Sequence, residues 1–244
     1  MNPFDVLENC QFVALRYEGP FVECTGITAV VKRELKTFHN RGGVLIAPWS
    51  GRMASARKAL LTGQVIDTGL AFPVETSYDR PVTVRVFANT QLDQAPMYYL
   101  AAEGYFEGIE SPYDTRSLNR DVLLFGLAVR ALVEGRVPRS CWIWGADWQT
   151  VPAALLLQAG HRTALTLHNT FDSFLADSLW QFDEPRYSAF RRYTALEAAL
   201  LHLDVITTVN RGYAYGLRNE VFHTRVMAQH LQFGVQRIVG IDNA

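Results

Sequence analysis

The stretch from Cys141 to Leu167, "CWIWGADWQTVPAALLLQAGHRTALTL", most restricts what this chain can fold into. Two short apolar runs, Cys141–Trp144 and Arg162–Leu167, are separated by a helix-like segment over Trp148–Gln158. A tight turn cannot join such runs. They must lie parallel, with the intervening helix crossing one face of a sheet. The pattern continues with a helical stretch through Ala195–His202, a strand at Val205–Val209 and a helix from Gly212. Strands alternating with helices give an α/β fold, a parallel sheet with helices on both faces.

The first half repeats the theme less regularly. Cys10–Tyr17 reads as a strand, and Ile27, Val30, Val31, Leu35 and Phe38 fall at the three- and four-residue offsets of an amphipathic helix that Gly42 and Gly43 end. "VLIAPW" is a short buried strand, "PVTVRVFAN" alternates as a strand should, and a strand followed by a Gly/Pro/Tyr-rich loop starts near Met97. Leu118, Val122, Leu124, Phe125, Ala128 and Leu132 build a helix that stops at Gly135. Between residues 50 and 100 the pattern is otherwise irregular. Repeats, low-complexity tracts and linkers are absent, so residues 1–244 are expected to form one domain.

Composition removes several function classes. The formal charge of −1 gives no electrostatic basis for nucleic acid or an anionic membrane as a partner. No apolar run reaches the roughly 18 residues of a membrane span. Cys10, Cys24 and Cys141 show no metal-ligand spacing, and neither a metal nor a cofactor is expected. Their odd number, with no secretory apolar region, suggests a reducing, cytoplasmic setting.

In a parallel α/β sheet, ligands sit outside the carboxyl ends of the strands. Asp147 lies just beyond "CWIWG", and His168-Asn169 ends "RTALTL". One crossover separates the two strands, so they are expected to be neighbours whose ends share a crevice. Each residue also has a plainer reading. Asp147 alone reads better as the N-cap of the helix at Trp148, His168 as a structural histidine and Asn169 as a turn former. Their placement on one edge favours a site. Thr25 and Gly26 open the first helix, where free N–H groups suit a phosphate, although Thr-Gly there is also ordinary capping. His161 reads as structural, and His39, His202, His223 and His230 as surface or packing residues.

Five segments stand in a telling order: "ECTGITAVVKRELKTFHNRGG", "GADWQTVPAALLL", "TLHN" at 166–169, "TVNRGYA" at 208–214 and "GIDNA" at 240–244. Together they resemble the N-terminal domain of the bacterial glycogen synthase and plant starch synthase family. Residues 50–115 align poorly. The resemblance implies a Rossmann-like domain that forms the acceptor-side half of a GT-B type glycosyltransferase. Such retaining enzymes move glucose from ADP-glucose or UDP-glucose to the non-reducing end of an α-1,4-glucan. Their second, C-terminal catalytic domain would lie outside this sequence, and the isolated half is expected to be inactive.

By the same resemblance His168 and Asp147 are the candidate catalytic residues. His168 would lie close to the transferring glucose and stabilise developing oxocarbenium charge, and Asp147 would face the same pocket. Thr25, Gly26, Trp148 and Asn169 are the candidate substrate-binding residues, with Gly26 at the loop that approaches the donor diphosphate. Glu23, Thr25 and Ala29 depart from the family's lysine, first loop glycine and acidic residue, and a carboxylate at position 23 repels a diphosphate.

That departure keeps a second reading open, a glucan-binding or regulatory module without catalysis. Trp148, Tyr98, Tyr99, Tyr105 and Phe106 would be its aromatic platforms, with core packing as their plainer role. A third reading, an unrelated α/β enzyme using Asp147 and His168 as an acid–base pair, has no further motif behind it.

Overall fold

The computed structural model describes residues 4–22, 26–76, 80–106, 118–173, 175, 193–219 and 238–242. Among them nine strands form one sheet in the order β3-β4-β5-β2-β1-β6-β7-β8-β9. The strands are β1 (Phe12–Leu15), β2 (Gly43–Pro48), β3 (Val65–Val74), β4 (Val82–Asn89), β5 (Met97–Ala102), β6 (Trp142–Ala146), β7 (Arg162–Leu167), β8 (Val205–Thr208) and β9 (Ile238–Gly240). The helices are α1 (Gly26–Phe38), α2 (Ala54–Leu61), α3 (Leu118–Val133), α4 (Val151–Leu157), α5 (Ala195–His202) and α6 (Arg211–Asn219).

From β5 through β9 every pairing is parallel, as the alternation of strands and helices requires. Three departures from the sequence reading stand out. The sheet is not wholly parallel, because β4 pairs antiparallel with both β3 and β5 and extends one edge as a meander. The irregular span after residue 50 contains α2 and the ten-residue β3. The helix expected over Trp148–Gln158 is split into a 3₁₀ turn at Trp148–Thr150 and α4.

Strand pleating divides the core into two layers. Val13, Leu15, Val44, Ile46, Tyr98 and Leu100 point to the side packed by α3, α4 and α5. Their neighbours Ala14, Leu45, Ala47, Tyr99 and Ala101 point to the side packed by α1 and α2 through Val31, Leu35 and Ala59. Buried Arg16 ties the layers at the end of β1. Its guanidinium donates to both carboxylate oxygens of Glu34 on α1, at 2.8 and 2.6 Å, and to the Leu15 and Trp144 carbonyls.

The chain leaves β1 toward β2 through α1, and β6 toward β7 through α4, and these two moves run in opposite directions across the sheet. The reversal lies between β1 and β6. In an open α/β sheet this switch point opens a crevice at the carboxyl ends of the strands.

Candidate functional site

Asp147 follows β6 directly, and among the described residues it is the one non-glycine with a positive φ, at φ 57 and ψ 175. That region is nearly glycine-only and costs about 1–3 kcal/mol, so surrounding contacts must hold it. The Asp147 amide donates to the Thr166 carbonyl at 3.0 Å, and its Oδ1 accepts the amides of His168 at 2.7 Å and Asn169 at 3.3 Å. The carboxylate thus continues the β6–β7 ladder past its last backbone bond.

This geometry corrects the N-cap expectation. The side chain makes no capping bond, since the backbone turn swings it onto the end of β7. The turn is closed by Thr150, whose Oγ1 donates to the carbonyls of Ala146 and Asp147, each at 3.0 Å. Gly145 makes room for that hydroxyl, because a Cβ there would lie 2.4 Å from Thr150 Oγ1.

The second carboxylate oxygen of Asp147, Oδ2, lies 3.3 Å from His168 Nδ1, a close contact outside hydrogen-bond geometry, and among the described residues neither atom has a hydrogen-bond partner. The Asp147 side chain is 2% exposed and that of His168 15%. A buried carboxylate beside Nδ1 favours the proton on that nitrogen, which leaves Nε2 to meet a ligand.

A cavity of about 610 Å³ opens beside His168, with Asp147 buried behind the ring, within the size range of small-ligand sites. Glu18 enters it from beyond β1, Gly26, Ile27 and Val30 from the start of α1, and Trp148 and Gln149 from beyond β6. His168, Asn169, Phe171 and Asp172 enter from beyond β7. Among the described residues nothing lies within 4 Å of where a Cβ at Gly26 would stand. Asp172 Oδ1 accepts the amides of Ser173 at 2.8 Å and Leu196 at 3.1 Å. Burial pushes the Asp172 carboxyl above the usual carboxylate range, against the Thr194 side chain and those two amides, and nearby Glu197 adds to the rise.

The structure therefore brings together Asp147, His168, Asn169, Trp148 and Gly26 from the residues singled out in the sequence. Thr25, Glu23, Cys24, His223 and His230 lie outside the described residues. Ala29 is on the exposed side of α1. The aromatic platforms are not on one surface. Tyr98, Tyr99, Tyr105 and Phe106 are buried in the two core layers, and Trp148, 5% exposed, only edges the cavity. His39 is a packing residue as expected, its Nδ1 3.0 Å from the Gln94 carbonyl.

Glu18, Gln149 and Asp172 went unremarked in the sequence. The rule that found Asp147 and His168 also applies to the ends of β1 and β7, and it points to Glu18 and Asp172. Cys10 and Cys141, far apart in sequence, meet as buried thiols 3.4 Å apart at the opposite end of β1 and β6. Among the described residues no group of three or more His, Cys, Asp or Glu side chains is placed to hold a metal ion, and no helix is long and apolar enough to cross a membrane.

Residues 17–232 match the family model of the starch synthase catalytic domain. Among solved structures, the catalytic domain of starch synthase IV from Arabidopsis thaliana, bound to ADP and acarbose, superposes with a TM-score of 0.76 at 17% identity. The match covers 96% of this chain and 52% of that one, so this chain spans about half the length of that structure. No match was found among curated protein sequences.

Proposed function

The chain belongs to the starch synthase catalytic domain family, and on that footing we propose that it is the acceptor-side half of a retaining glucosyltransferase. It would transfer glucose from ADP-glucose or UDP-glucose to an α-1,4-glucan together with a C-terminal catalytic domain. The observation that carries this reading is the contact of buried Asp147 with His168, which lines a cavity on the sheet's switch point.

The chemistry follows from the arrangement. Asp147 holds the backbone of His168 and sets a carboxylate oxygen beside its ring, a placement made before a sugar arrives. The free ring nitrogen holds a hydroxyl of the transferring glucose. Glu18 and Asp172 line the cavity, and no lysine or arginine does among the described residues. Carboxylates near the anomeric carbon favour the positive charge that develops as the glycosidic bond breaks. The same sign disfavours a diphosphate, so the cations that hold the donor's phosphates belong to the partner domain.

That electrostatic pattern also fits the second reading, a module that holds a glucan and transfers nothing. Transfer of labelled glucose to glycogen by the natural full-length protein separates the two. The proposal expects transfer from at least one of the two donors, with His168→Ala reducing it by about a hundredfold or more. Glucan binding without transfer supports the module, and transfer that survives His168→Ala removes the assigned role.

A further inference from the structure

Further along α1 a second depression, about 700 Å³, opens between α1 and α2. Its chemistry is the opposite of the cavity beside His168. Lys32 and Lys36 from α1 and Lys58 from α2 line it, and none of its described lining residues is acidic. The nearest acid along α1, Glu34, is engaged by Arg16. None of the three lysines has an ion-pair partner among the described residues.

Two features make this more than a solvated face. Lys32 and Lys36 stand one helical turn apart, a like-charge spacing that weakens a helix, and Lys58 adds a third positive charge across the groove. An anion between the helices relieves this repulsion. The remaining wall carries Gln64, Gln91 and Gln94, whose amides suit hydroxyl groups, beside Asn89 and Ser55, which are held by the Ala95 carbonyl and Met97 amide and by the Phe21 carbonyl. Buried Tyr99 and partly buried Phe21 supply apolar surface at the base.

We propose that the groove between α1 and α2 is a binding site for a small phosphorylated sugar, its phosphate held by Lys32, Lys36 and Lys58 and its hydroxyls by the surrounding amides. This site is separate from the cavity beside His168 and does not depend on the function proposed for it. α1 contributes Gly26, Ile27 and Val30 to one site and Lys32, Leu35 and Lys36 to the other.

The test is a titration of the 244-residue chain with glucose 1-phosphate, inorganic phosphate and glucose at low ionic strength, followed by calorimetry and by the amide resonances of Ser55 and Gln64. The proposal expects saturable binding of glucose 1-phosphate that shifts those resonances and weakens as salt rises. A Lys32→Gln, Lys36→Gln, Lys58→Gln variant, with its circular dichroism unchanged, should bind at least tenfold more weakly. Unaltered affinity in that variant, or no saturable binding by the wild type, would overturn the site. Equal affinity for inorganic phosphate would overturn the assignment to a sugar ester.

Discussion

Asp147 Oδ1 accepts the His168 amide at 2.7 Å, while Oδ2 of the same carboxylate lies 3.3 Å from the His168 ring. One side chain therefore closes the β6–β7 ladder and sets a carboxylate oxygen beside the candidate catalytic imidazole.

Replacing Asp147 separates its two structural costs. Asp147→Ala keeps the unfavourable φ and leaves the amides of His168 and Asn169 without their acceptor, a loss of about 3 kcal/mol. Asp147→Gly removes the same acceptor but relieves the backbone, so it should be about 1 kcal/mol more stable than the alanine variant. Asp147→Asn keeps an acceptor oxygen and should be the mildest of the three. Urea denaturation midpoints give the order. An alanine variant as stable as the glycine variant would show that the turn is not strained.

Arg16 is 1% exposed and depends on Glu34 for its charge partner. Glu34→Ala leaves a buried guanidinium with only the Leu15 and Trp144 carbonyls and the Trp144 ring beside it, without an anion, and should cost about 3–5 kcal/mol. An Arg16→Met, Glu34→Leu double variant should recover most of that loss, because buried pairs are readily replaced by apolar packing. Equilibrium unfolding of the three proteins measures the coupling.

Asp172 binds its proton more tightly in the folded chain than in the unfolded one, because burial disfavours its charge. Below the ordinary value of 3.8 the group is neutral in both states and contributes no difference. As pH rises through that value the unfolded chain ionises first, and a penalty on folding grows until the raised folded-state value is passed. Asp172→Asn should therefore match the wild type in acid and be the more stable protein at pH 7. Denaturation midpoints at the two pH values check the sign, and the reverse order would mean the carboxylate is stabilised where it sits.

The thiols of Cys10 and Cys141 are 5% and 0% exposed and face each other. The neighbouring Cys10 and burial both push the Cys141 thiol up, so it is held as the neutral form. Neither peptide should be alkylated by iodoacetamide in the native protein, and both should be in urea. Peptide mass mapping distinguishes them from Cys24.

The parts of this fold that were legible in the sequence are those where one local signal decides. Leu165 and Leu167 alternate along a short apolar run, and the helical stretch after Asp147 makes β6 and β7 parallel neighbours, as the observed register from Trp142↔Arg162 to Ala146↔Thr166 shows. The α2–β3 region was not legible. Only Ala56 and Ala59 of α2 are buried, too small to mark a stripe, and β3 carries Gly69 and Pro73, which read as breakers. Its antiparallel pairing tolerates them at the sheet edge, with the register slipping between Asp67 and Ala71.

The site was half legible for a similar reason. That Asp147 and His168 converge follows from strand order. That Asp147 binds the end of β7 instead of capping a helix depends on a backbone dihedral that no residue pattern encodes. The meeting of Cys10 with Cys141, 131 positions away, requires β1 to sit beside β6, which local periodicity does not specify.

Sugar binding in the crevice lined by His168 and Asn169 can be read at the backbone there. Titrating the 15N-labelled chain with a maltooligosaccharide, and following the backbone amides of His168 and Asn169, tests it most directly. Both resonances are expected to shift and saturate together, and Asp147→Ala is expected to abolish the saturable shift. Static His168 and Asn169 amides at millimolar sugar, or shifts confined to another face of the sheet, would contradict it.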